Sequence, residues 1–557
     1  MCSARGPRVA LAATCAALAA CSKCASREAP TAASLAPSRA WLDGEPAAPT
    51  PGETPLVGGT LVVRAMAEPS GLNELNDSFR DGWSWRIAGR TVVEPLIELD
   101  PVTYALRPLL AERWEELEGG RVTRFTLRRG VRFHDGSPFG ARDVVAVLDL
   151  VGNPKLATNG ARAEVADLEH WRALDEHTVE LVWRRPSPLG LRALTRLPIY
   201  PAGALEGPFD SLPLGQKPVG TGPFRFEAWE RGSTLSLVRH EGYWGERPFL
   251  DRVVFRIAKD STVATQLFER GELDLMTAIQ PTVWRSLELP ESRNAWAVDG
   301  YVRIKSVDNS FSYIAWNEDR ALFKDKRVRR ALALLYPRDS VAKNVDLGLE
   351  QPTTCPYWLR GPYCDPAVKP LAYSPAEARA LLAEAGWADH DGDGVLDKDG
   401  IPFRFTFLLP HTSVRLAKLA PLLQQELAGV GIAMDLEKVE GAVLSERIAH
   451  RDFDAVSQVW TEFDVEQDLS EVFHSGQESN TAGYSNPRVD ALLEQIRGEA
   501  GAARRVELCR EVHRLLYDDQ PYLFMTARVS LDAAKKRVRG LRPSLVWYDL
   551  RRVWVSP

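Results

Sequence analysis

A chain of 557 residues is too long for one hydrophobic core, so two or three domains are expected. Its 45% hydrophobic and 26% charged residues describe an ordinary globular protein, and a formal charge of -6 gives no support for the basic face that nucleic-acid binding needs. With nine scattered His and no G-x-S-x-G, H-E-x-x-H, phosphate loop or Gly-rich helix opening, no catalytic set is visible and an enzyme is not expected.

Arg5 and Arg8 precede Val9 to Ala20, an apolar, Ala-rich run of twelve residues, too few for a bilayer span of about 20. Residues 1–20 therefore read as an export signal. They end Leu18-Ala19-Ala20 before Cys21, which looks like a bacterial lipobox, so Cys21 is expected to carry lipid. Residues 21–55 are crowded with Ala, Pro, Ser and Thr without periodicity, the composition of a flexible tether.

The folded part opens with a strand over Gly59–Arg64. Val122, Phe125 and Leu127 mark an alternating strand, and His134-Asp135-Gly136 is a turn that starts a helix whose Val144, Val147, Leu148 and Val151 recur at helical spacing. Pro218, Gly220, Gly222 and Pro223 make a stiff turn, followed by paired strands carrying Phe224, Phe226, Trp229, Leu235, Leu237 and Val238. A strand and a helix follow between Leu250 and Met276. Cys355 and Cys364 bracket the loop CPYWLRGPYC, and a disulfide between them is expected after export.

Ser374, Pro375 and Glu377 form a helix start, with an N-cap, a Pro at the first helical position and a Glu three after the cap. Alternation at Phe403, Phe405, Phe407 and Leu409, helical spacing at Leu416, Leu419, Leu423 and Leu427, and strands at Ile432–Leu436 and Phe453–Trp460 predict an α/β unit with a largely parallel sheet. Ligands bind such sheets beyond the carboxyl ends of the strands, where Trp460 and the acids after it lie. Between helix and strand, Asp389, Asp391, Asp393, Asp397 and Asp399 have the oxygen spacing and central Gly of a calcium loop, but Gly400 stands where a bidentate Glu belongs. A structural calcium is the one cofactor this sequence suggests.

Several of these stretches resemble one family. Lys217–Phe224 with Tyr243-Trp244, the run from Gly130 through Phe133, His134, Asp135, Gly136 and Pro138 to Asp143 and Val144, and the Tyr484-Ser485-Asn486-Pro487 helix entry are similar to the signature segments of family-5 solute-binding lipoproteins. These carry oligopeptides, dipeptides or nickel to ABC importers. The resemblance implies a periplasmic-binding-protein-like α/β fold of type II, cluster C, with two lobes, three domains and a central cleft. Domain I would take residues 56–97, 198–311 and 526–557, domain II residues 98–197, and domain III residues 312–525.

The same resemblance implies a lipid-anchored, extracytoplasmic monomer that closes on a peptide or another small solute and docks on permease subunits. Oligosaccharide binding and a receptor or chaperone-like role without transport are the alternatives. Peptide-binding members read W-x-x-D after the last strand, and that Asp receives the ligand's ammonium group. Here Phe463 holds that place, so Glu462 or Asp464 is expected to supply the carboxylate, beside Trp460. Trp316, Asn317 and Tyr484 are further cleft candidates by their place in the pattern.

Overall fold

Two long strands, Tyr301–Trp316 and Tyr522–Lys535, pair antiparallel and run from one lobe of the protein into the other. They belong to a computed structural model that describes residues 41–43 and 54–556, apart from 80, 90, 288–299, 412, 463 and 546. The expected signal at 1–20 and Cys21, expected to carry lipid, lie outside the described residues.

The first lobe hangs on Thr60–Ala65, which lies parallel to Arg252–Ile257 and Leu275–Met276, with the hairpin Phe224–Glu230 and Thr234–Arg239 completing that edge. A separate antiparallel sheet, Ala111–Leu117, Val122–Leu127, Thr178–Trp183 and Leu168–Asp175, carries the helix Ala141–Gly152 on its inner face. Val144, Val147 and Leu148 of that helix share one continuous core with Phe125, Leu61, Val63 and Phe255, so both sheets of this lobe pack on the same hydrophobic mass.

In the second lobe Arg404–Pro410, Ala433–Val439 and Ala455–Thr461 are parallel, with Val414–Ala428 and Gly441–Ala449 as the crossovers. Their neighbour is the long strand Tyr301–Trp316, whose side chains alternate between two cores. Ile314 and Trp316 face Phe403, Phe405, Leu419 and Leu423, while Tyr313 and Ala315 face Phe453, Leu492 and Val512. Tyr313 stacks on Tyr522 at 4.1 Å between centroids.

The segment read as a structureless tether contains one strand. Trp41–Asp43 pairs antiparallel with Lys305 and Ser306, on an edge that Ala455–Thr461 does not reach. Trp and Leu favour strands, and an open edge supplies hydrogen-bond partners that composition alone does not reveal.

The Gly-rich turn is a knot rather than a loop. Gly222 N donates to Val92 O at 3.0 Å and Phe224 N to Thr91 O at 2.9 Å, while His134 N donates to Gly220 O at 2.8 Å. Thr221, Tyr243 and Trp244 all donate to the buried carboxylate of Glu94 at 2.8, 2.7 and 3.0 Å. The His134-Asp135-Gly136 turn, the Gly turn and the Tyr-Trp pair thus meet at one buried acid, and all three segments serve the fold.

Candidate functional site

The paired long strands lose register between Val307 and Phe311, which face Val529 and Ala527, so Asp308, Asn309 and Ser310 bulge opposite Arg528. Asp308 and Arg528 at this bulge line a cavity between the lobes. Two joined chambers, about 240 and 450 Å³, share Met66, Ala278, Arg528 and Ser530 in their walls. The smaller is aromatic: Trp83 meets Trp547 edge-on at 5.4 Å, and the Arg86 guanidinium lies 5.4 Å from both ring centres. Asp308 accepts from Ser530 Oγ on both oxygens, at 2.8 and 2.9 Å, and burial raises its pKa against the pull of Arg528. Asp532 accepts from Tyr548 Oη at 2.5 Å and Ala278 N at 2.7 Å.

The bulge also anchors the acidic loop after Trp460. Asn309 O accepts from Glu462 N at 2.8 Å, and Asn309 Nδ2 donates to Asp464 O. Asp464 is taken by an arginine of the other lobe: Arg192 Nε and Nη2 donate to its two oxygens at 2.8 and 2.5 Å, and Nη2 also reaches Tyr104 O at 3.0 Å. Glu462 accepts from Trp460 Nε1 at 2.8 Å and lies 3.6 Å from Arg196, which Glu164 also holds. Glu466 pairs with Arg505 at 2.6 Å, and Arg497 bridges Asp468 and Asp167 at 3.1 and 2.9 Å. Both acids predicted to meet a ligand amine are therefore neutralised by arginines of the chain itself, an arrangement that a one-dimensional count of charges does not show.

Three other predicted cleft residues are buried. Trp316 is 1% exposed and packs against Phe323 and Phe405, because both faces of its strand are covered by a core. Asn317 is equally buried, and its Nδ2 donates to Arg451 O and Phe453 O, tying two chain segments together. Tyr484 is 2% exposed, with its hydroxyl on Asp519 at 2.7 Å. Each is a structural post.

In the acidic turn, Asp389, Asp391 and Asp397 bring one oxygen each to within 4.8 Å of one another, while Asp393 and Asp399 stand outside that group. The three are already engaged: Asp389 accepts from Gly392 N and Gly394 N, Asp391 from Asp393 N, and Asp397 from His390 N and pairs with its ring. Three carboxylates alone fall short of the six to eight oxygens calcium takes, and carbonyls or water would have to supply the rest. The melting temperature is accordingly expected to be the same, within about 1 °C, in EDTA and in millimolar calcium, since an ion that binds the native state would raise it. Differential scanning calorimetry checks this, and a clear rise with calcium would show that the loop opens to bind it. Elsewhere, the structure joins Cys355 to Cys364, and Cys509 is free and buried.

This geometry, a cavity between two α/β lobes linked by a pair of long strands, has a match in known proteins. The family model described as bacterial extracellular solute-binding proteins, family 5 Middle, matches residues 105–480. The chain belongs to that family. Within family 5 it is 26% identical over 523 residues to the oligopeptide-binding protein AppA of Bacillus subtilis, covering 90% of this chain and 92% of that one. It is 25% identical over 509 residues to the dipeptide-binding protein of Escherichia coli, covering 86% and 91%. AppA in complex with a nonapeptide superposes with a TM-score of 0.78, across 90% of this chain and 100% of that one. NikA of Brucella suis, in complex with Fe(III)-EDTA, has the same fold at a TM-score of 0.78 and 22% identity, across 89% and 100%.

In this family-5 protein the chamber walls come from residues that motif reading passed over. A signal existed on one strand: Arg528, Ser530 and Asp532 alternate with Val529 and Leu531, which puts the polar groups on one face.

Burial also leaves a pH signature. Glu94, Glu318, Glu350 and Glu462 are pushed up to about 7 and Asp532 to about 6, each chiefly by burial. The folded state then binds more protons than the unfolded one above the ordinary carboxyl value of 4.5, so these groups lose stability as pH rises toward 7. His134 and His513, pressed down to about 4 by burial, act in the opposite sense between pH 4 and 6.5. Five acids against two imidazoles predict a melting temperature that falls between pH 5.5 and pH 8. Glu350→Gln, which removes one of the five, is expected to narrow that fall; a melting temperature that rises over this range would contradict the assignment.

Proposed function

We propose that this chain is the capture component of an ABC importer, a monomer held by lipid on Cys21 outside the cytoplasm, which takes up peptides between its lobes and passes them to a membrane permease. The observation that carries this reading is the two-chamber cavity between the lobes, in a family whose members similar to this chain include oligopeptide- and dipeptide-binding proteins. Its aromatic chamber and its charged chamber suit the side chains and the polar ends of a short peptide. Ligand touching both lobes would stabilise the closed arrangement by its difference in affinity between the two states. Among the described residues no helix is long and apolar enough to cross a membrane.

Native mass spectrometry of the full chain, purified without refolding and then denatured, tests the reading. A ladder of short peptides is expected to be released. Sugars alone would overturn the peptide assignment while leaving the solute-binding family untouched.

A further inference from the structure

Only part of the space between the lobes is cavity. Beside the aromatic chamber the lobes touch through a hydrophobic cluster of four residues, Tyr104 and Leu545 from the first lobe and Trp358 and Val465 from the second, each 4% exposed or less. Trp358 is its largest member. The Trp358 ring meets Tyr104 edge-on at 5.4 Å, and its Nε1 donates to Val307 O at 3.3 Å. Leu545 O accepts from Asn309 N at 3.1 Å, so the cluster also holds the bulge.

The two sides of this cluster differ. On one, Val307 lies between Ser306 and Asp308, and Leu545 follows Ser544, three residues that line the aromatic chamber. On the other, Val465 follows Asp464, and Tyr104 O accepts from Nη2 of Arg192, the cation that holds Asp464. Trp358 thus stands between the chamber and the bridge. The loop that carries it is braced by the Cys355–Cys364 disulfide, by Gly361 N on Trp358 O at 2.9 Å and by Arg510 Nε on Pro362 O at 3.0 Å. Cys355, Tyr357 and Tyr363 of the same loop are packed in a second-lobe core, so the loop is rooted in one lobe while its Trp presses on the other.

Resting on the peptide reading above, we infer that Trp358 limits the length of the captured peptide: it ends the cleft behind the aromatic chamber and excludes residues that would run on toward Asp464. A longer peptide would have to displace an indole packed on every side, and with it the apolar surface that this ring buries against both lobes. Trp358→Ala leaves space into which Leu545 can move, and the chamber then lengthens toward Asp464. Extended chain advances about 3.3 Å per residue, so the gain is about one or two residues.

The test offers the full chain an equimolar ladder of synthetic peptides built from Ala and Ser, from dipeptide to nonapeptide. Retained peptides are recovered by gel filtration and identified by mass spectrometry. The native chain is expected to retain peptides up to a sharp limit. In W358A that limit is expected to rise by about one or two residues, and W358F is expected to restore most of it. W358L, which keeps an apolar contact, gives the same reading if circular dichroism shows that the Ala variant does not fold. W387A is the control: Trp387 is a buried second-lobe indole packed on Phe403 at 4.5 Å and lines neither chamber, so its loss loosens the lobe without removing the stop. A limit unchanged in the folded variant, an equal rise in W387A, or a native chain without a limit overturns this inference and leaves peptide capture standing. Retention of no peptide by the native chain overturns peptide capture and the inference with it.

Discussion

Replacing Arg192 with Ala is expected to cost about 3–5 kcal/mol, because it leaves a buried carboxylate without its cation. Asp464 is 9% exposed, and its two oxygens take the Nε and Nη2 of Arg192 at 2.8 and 2.5 Å, so water replaces the lost partner poorly. Urea denaturation measures the loss. Changing both partners to Leu is expected to recover most of it, since an apolar pair of similar volume carries no desolvation cost. Arg192 belongs to the short helix Pro188–Ala193 of the first lobe and Asp464 to the loop after Ala455–Thr461 of the second, so the pair forms only when the lobes meet. The Ala variant should therefore also show a larger radius of gyration by small-angle X-ray scattering. A loss below about 1 kcal/mol, the size of a surface pair, would show that the bridge is not buried in solution.

The second large effect is expected at Gly220. A Cβ there would lie 2.1 Å from Val92 O and 2.8 Å from both Val92 C and Val93 Cα, all backbone atoms that no rotamer change can move. Overpacking of a well-packed site costs about 1–3 kcal/mol before hydrogen bonds are counted. At Gly220 the displacement also pulls on the bond from His134 N to Gly220 O and on the one from Gly222 N to Val92 O, and behind them on the three donors that satisfy Glu94. Gly220→Ala is expected to lose at least about 3 kcal/mol and to accumulate in the insoluble fraction. Gly203→Ala is the control. Nothing lies within 4 Å of a Cβ there, and its melting temperature should stay within the range of about 0.5 kcal/mol usual for surface changes. Equal melting temperatures for the two variants would mean that the turn is not packed as described.

Family membership was legible in the sequence because the segments that carry it are local. The Gly turn, the His134-Asp135-Gly136 turn and the Tyr243-Trp244 pair are each set by their own backbone needs, and each can be recognised within ten residues or so. The helices and strands of the second lobe follow equally from local period, with the parallel order of Arg404–Pro410, Ala433–Val439 and Ala455–Thr461 dictated by the helices between them. What a residue does at the cleft is another matter. Trp316 and Asn317 stand next to one another at a strand end, where position suggested ligand contact, but the packing of Phe323 and Phe405 buries the first and hydrogen bonds to Arg451 O and Phe453 O bury the second.

Sequence alone therefore determined the elements, the α/β lobes and the family, since these depend on interactions between near neighbours along the chain. Tertiary structure alone decided the site. Arg192 and Asp464 are 272 residues apart, and their pairing converts acids that looked available to a ligand into a bridge between lobes. Likewise Met66, Ala278, Arg528 and Ser530, far apart along the chain, line the same chambers only because the fold brings them together. Charge acts through distance in space, and the distances that matter here are set by folding, not by spacing along the chain.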